Sequence, residues 1–83
     1  MRMDMITFRS ITPAQRGQRI LAAAGIACTL QRTPKKLAQQ GCGYCLRLRS
    51  GDVTRAVEAL REQGVNFSKV YAGYDTGAQE REI

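Results

Sequence analysis

Apolar and polar positions alternate loosely over residues 3–8, with Asp4 the only charge, and Ile6, Thr7 and Phe8 favour extended backbone, so the chain is expected to open on a strand. A helix should follow. Thr12 suits an N-cap and Pro13 the first helical position, where a missing N–H costs nothing. Ala14, Gly17, Ile20, Leu21 and Ala24 then share one face, Arg16 and Arg19 point outward, and Gly25 closes the helix. Ile26, Cys28 and Leu30 alternate with Ala27, Thr29 and Gln31, which predicts a half-buried strand with Cys28 facing the core. Residues 32–41 break the pattern. Pro34 disfavours helix at Thr33, and residues 35–40 have room for one helical turn before Gly41.

Tyr44, Leu46 and Leu48 alternate with Cys45, Arg47 and Arg49 in a third strand, one face apolar and the other cationic. Ser50-Gly51-Asp52 makes a turn and an N-cap. After it Val53, Ala56, Val57 and Leu60 recur at i, i+3, i+4 and i+7, and Gly64 ends the helix. Residues 65–71 predict a last strand, and residues 72–83, poor in hydrophobics, a tail that is flexible or docks on a partner. The order β-α-β-β-α-β is the split-βαβ, or ferredoxin-like, pattern: an α+β domain over residues 1–71, with a four-stranded antiparallel sheet and both helices on one face. The opposite face is expected to be open, carrying Met3, Met5 and Thr7 from the first strand and Cys45, Arg47 and Arg49 from the third.

Composition narrows what such a domain can do. Leu, Ile, Val and Phe number only 17 of 83 residues, so the core is thin and any chemistry belongs on the surface or in a loop. The longest apolar stretch, residues 20–28, is far short of the ~20 residues a membrane span needs. The N-terminus lacks the apolar segment of a secretory signal, which makes the cytoplasm the default compartment. Net charge is +6, concentrated in residues 1–71, and a cationic body favours anionic partners without choosing among them. Exposed strand edges are compatible with a homodimer.

The candidate chemistry lies in Gly41-Cys42-Gly43-Tyr44-Cys45, a Cys-x-x-Cys where a loop enters a strand. Two thiols at this spacing can close a disulfide, exchange with another dithiol, hold a soft metal, or let one cysteine resolve an adduct on the other. Gly41 and Gly43 leave the Cys42 sulfur open to approach, and Lys35, Lys36, Arg32 and Arg47 are cationic neighbours in sequence that favour a thiolate. The plainer alternative is that both are small packing residues, which is the stronger reading for Cys28. Three cysteines and no histidine argue against a structural zinc site in one chain, although two chains sharing their pairs, or copper(I) on two thiolates, would satisfy metal chemistry. The absence of histidine also removes the usual general base of hydrolytic catalysis. No cofactor is expected. An RNA or other polyanion could use Arg47, Arg49, Lys35 and Lys36, but Tyr44 falls on the core side and leaves the open face without a stacking platform.

Beyond these readings, the chain resembles the small bacterial selenium/sulfur carrier-like proteins. The resemblance is carried by Thr7-Phe8-Arg9-Ser10, by Leu21-Ala22-Ala23-Ala24-Gly25-Ile26, by Thr33-Pro34-Lys35-Lys36-Leu37 and by Gly41-Cys42-Gly43, in that order. It covers most of residues 5–71. The resemblance implies a carrier rather than an enzyme: Cys42 would hold sulfur or selenium as a persulfide or selenosulfide, received from a protein donor such as a cysteine desulfurase and passed to an acceptor protein. Cys45 is not part of the family's fixed pattern, and a second thiol there would resolve the adduct. Lys35, Lys36 and Arg32 would stabilise anionic sulfur, and Ser10 and Thr33 would add hydroxyl hydrogen bonds.

Overall fold

Residues 3–8 do form a strand, and it becomes the hub of the sheet. The computed structural model describes residues 3–33, 43–72 and 79–81, the last three as backbone. The elements in chain order are β1 (Met3–Phe8), α1 (Ile11–Ala23), β2 (Cys28–Arg32), β3 (Tyr44–Arg49), a 3-10 turn at Ser50–Asp52, α2 (Val53–Glu62), β4 (Val70–Ala72) and β5 (Gln79–Arg81). Lys35, Lys36, Gly41 and Cys42, and the helical turn expected over residues 35–40, lie outside the described residues.

The sheet order is β2-β3-β1-β4-β5, and every neighbouring pair is antiparallel. Its first four strands and two helices are the expected ferredoxin-like α+β arrangement. A fifth strand follows these, and backbone pairing of Tyr71 with Glu80 places residues 79–81 at the sheet edge.

Register assigns the faces. Asp4, Ile6 and Phe8 lie opposite Leu48, Leu46 and Tyr44, while Met5 and Thr7 lie opposite Arg47 and Cys45. Ile6, Phe8, Leu46 and Leu48 join Ala14, Leu21, Val57 and Leu60 in one core, so both helices cover the first of these faces. The apolar period of α2 is realised fully, with Val53, Ala56, Val57 and Leu60 buried. Helix α1 buries Ala14, Gly17 and Leu21, whereas Ile20 is half-buried and Ala24 is exposed.

Helix ends follow the glycines closely. After α1 the N–H of Gly25 donates to Ala22 O at 3.0 Å and that of Ile26 to Leu21 O at 2.9 Å, with Gly25 at φ 79°. Gly64, at φ 69°, repeats this after α2, where Val65 N–H donates to Leu60 O at 2.9 Å. Both are Schellman closures, and Ile26 and Val65 are the buried apolar residues that complete them.

Three boundaries differ from expectation. The N-cap position of α1 falls on Ser10 rather than Thr12, so Pro13 sits within the first turn, where its lack of an N–H is equally harmless. Strand β2 starts at Cys28, because residues 24–26 are taken up by the helix closure. The fourth strand is confined to Val70–Ala72. Its expected first half is replaced by a bulge: Thr7 N–H donates to Lys69 O at 2.8 Å while Ser68 N–H donates to Thr7 O at 2.7 Å, two residues facing one.

Candidate thiol site

The described walls of the Cys42 loop stand at one end of the sheet. Thr33 N–H donates to Gly43 O at 3.1 Å, which joins the chain entering the loop to the chain leaving it. Phe8 pairs with Tyr44, so Arg9 and Ser10, which lead into α1, reach the same end. A Cβ on Gly43 would lie 3.5 Å from the Arg9 carbonyl oxygen, an ordinary contact that shows how near the two segments run. The structure therefore brings the Arg9 backbone, Thr33 and Gly43 together at the loop's base, with Ser10 next in the chain. Ser10 is exposed, and its hydroxyl caps no helix N–H.

Cys45 projects from β3 onto the face away from the helices, as the alternation predicts, but that face is not open around it. Cys45, Met5 and Thr7 are each 0 % exposed, which corrects the expectation of an uncovered sheet. The Cys45 thiol donates to Met5 Sδ at 3.6 Å, a contact between two soft, polarizable groups. Burial pushes the Cys45 thiol up from its ordinary range, and nearby Thr33 and Gln31 side chains draw it part of the way back. It is a neutral thiol at pH 7.

Cys28 packs half-buried against the core from the helix side, and burial raises its thiol too. Its place opposite Leu48, while Gln31 lies opposite Cys45, sets the two sulfurs on opposite faces of the sheet. Among the described residues, no three His, Cys, Asp or Glu side chains gather as a metal-binding group.

The expected basic residues are differently placed. Arg47 is half-buried on the Cys45 face, opposite Met5 and Thr29. Arg49 is exposed and lies 3.8 Å from an Asp52 carboxylate oxygen, while the Arg32 guanidinium stands 5.6 Å from the centre of the Tyr44 ring.

Sequence reasoning missed two features. One is the Met5–Cys45 contact, whose only signal was their shared position on the second face of adjacent strands. The other is a group of cations at the start of α1, Arg9 and Arg16, joined by Lys69 from the segment paired with Thr7. Arg9 and Arg16 flank the Thr12-Pro13 helix start, but nothing local announces Lys69. No described helix is long and apolar enough to cross a membrane.

Comparison with known proteins adds one finding. A family model described as "Putative Se/S carrier protein-like" matches residues 4–72. No curated protein and no solved structure matches the chain.

Proposed function

Since the chain belongs to the Se/S carrier-like family, we propose that it carries sulfur or selenium on Cys42 and passes it from a donor protein to an acceptor protein. The observation that carries this reading is the family match itself, which spans both Cys42 and Cys45. In loading, the Cys42 thiolate attacks the terminal sulfur of a donor persulfide. The donor's S–S bond breaks, its thiolate leaves, and the persulfide on Cys42 forms without net oxidation.

Cys45 is the second thiol. Its attack on the inner sulfur of the loaded Cys42 would release hydrosulfide and leave a Cys42–Cys45 disulfide, two thiols oxidised as the carried sulfur is reduced. The raised pKa of Cys45 supports an order of events: a buried neutral thiol discharges the persulfide slowly, so an acceptor can take the sulfur first. Lys35, Lys36, Ser10 and Thr33 are proposed to stabilise the sulfur anion, with Gly41 and Gly43 leaving it accessible.

Intact mass after incubation with a cysteine desulfurase and cysteine, and separately with selenide, tests the proposal. The wild type and Cys28→Ser should each gain a sulfur, and Cys42→Ser should gain none. Equal loading of Cys42→Ser would sink the assignment of the carrier thiol. Cys45→Ser should load normally and hold its persulfide longer.

A further inference from the structure

A cleft of about 740 Å³ opens between the start of α1 and residues 64–69. Arg9 and Arg16 contribute from the α1 side, Lys69 from the bulge opposite Thr7, and Phe67 supplies an apolar wall. None of its described lining residues is acidic. Arg9, Arg16 and Lys69 put positive charge on the walls of one concavity, which favours an anionic ligand there.

The cleft is built from fixed parts. Arg16 Nη2 donates to Gln63 O at 3.2 Å, which holds the guanidinium across the gap between α1 and the end of α2. On the opposite wall Thr7 secures Ser68 and Lys69. Its hydroxyl donates to Lys69 O at 3.2 Å and accepts from Lys69 N–H at 3.0 Å, in addition to its two backbone bonds. The bulge therefore aims this segment into the cleft. Thr12 and Ser68 add hydroxyls to the lining, and the Arg61 guanidinium, 5.9 Å from the centre of the Phe67 ring, adds positive charge behind the apolar wall.

We propose that this cleft is a binding site for a tetrahedral oxyanion of the phosphate class, gripped by Arg9, Arg16 and Lys69, with Phe67 placed to pack an apolar group attached to that anion. Guanidinium forks match such an anion in two-point hydrogen bonds, and the remaining hydroxyls suit its other oxygens. The same chemistry is offered by free phosphate and by the phosphate group of a larger aromatic or apolar ester. Arg9 places the cleft beside the base of the Cys42 loop, yet the site does not depend on the thiol reading.

Amide chemical shifts of the full chain, titrated with inorganic phosphate and with phenyl phosphate at constant ionic strength against chloride, test the proposal. Saturable shifts at Thr12, Asn66 and Ser68 are expected with both probes. Arg9→Gln combined with Arg16→Gln should weaken binding by about tenfold or more. Phenyl phosphate should bind more tightly than inorganic phosphate if the natural ligand is an ester, with the gain lost in Phe67→Ala, and equal affinities would identify the free anion. Linear, unsaturated shifts, or the same shifts with chloride, would overturn the site. Cys42→Ser should titrate like the wild type, so a failure of the carrier reading would remain separate from a failure of the cleft.

Discussion

Cys45 loses its contact with water in the folded chain, and that sets both its reactivity and its contribution to stability. Its folded-state pKa is raised, so the stability linked to the neutral thiol is fully present below about pH 9 and falls as pH rises through the folded value. Urea midpoints measured from pH 8 to pH 11 should decline, with each buried thiol adding at most about 1.4 kcal/mol per pH unit to the slope. The decline should be shallower in Cys45→Ala; an unchanged slope would show that Cys45 ionises freely in the native state. A second single-residue effect is expected at Ser50. Its hydroxyl donates to Asp4 Oδ1 at 2.5 Å, and Asp4 is 1 % exposed. Ser50→Ala should lower unfolding free energy by about 1–3 kcal/mol, because a buried carboxylate loses a charge-assisted bond. Denaturation without measurable change would mean that water replaces the hydroxyl.

Helix α1 meets the sheet and α2 at Gly17. A Cβ there would stand 3.2 Å from Leu60 Cδ2, 3.2 Å from Phe8 Cζ and 3.3 Å from Leu46 Cδ1. Alanine gains about 1 kcal/mol of helix propensity but must push three packed side-chain ends apart, for which overpacking costs about 1–3 kcal/mol. Gly17→Ala should therefore be destabilising by about 1 kcal/mol, and Gly17→Val by about 3 kcal/mol or more as further methyls enter the same gap. Chemical denaturation of the pair gives the comparison, and a stabilised Gly17→Ala would show that the three neighbours yield freely. This close approach also bears on what could be read from the chain alone. The apolar stripe placed Gly17 on the buried face, but only the fold reveals that it has no room for a side chain. Helix α2 was legible throughout, because one strong 3.6-residue period and one terminal glycine agree. The last strand was not. Val65 and Phe67 alternate like strand residues, yet Val65 belongs to a helix closure and Ser68 to the bulge opposite Thr7.

Among the described residues, the core is built from side chains that lie before β5. Its buried apolar cluster runs from Ile6 to Val70, whereas β5 adds backbone pairing beside a three-residue β4. A chain ending at Ala72 is thus expected to unfold cooperatively but at a lower urea midpoint, since β4 becomes the unprotected edge of the sheet. Circular dichroism and urea titration of that truncation would check this, and loss of cooperative unfolding would contradict a domain that closes near residue 71. Charge acts at the same scale. The net +6 is a general attraction for anions, but Arg9, Arg16 and Lys69 acquire a shared direction only because β1, α1 and the bulge meet at one end of the sheet.

The sequence by itself determined the order of the first four strands and the two helices, the ferredoxin-like topology, the two glycine closures and the two faces of the alternating strands, because these follow from local periodicity and backbone preference. It also supplied the family resemblance and the Cys-x-x-Cys spacing. Tertiary structure decided which surfaces reach water. Alternation places Cys45, Met5 and Thr7 on the second face, but says nothing of how deeply they lie, and their full burial depends on contacts distant in the chain. Likewise, a bulge set by Thr7, 62 residues from Lys69, decides where β4 begins and what faces the start of α1. Such features have no local signature, since they depend on which distant residues long-range pairing brings together.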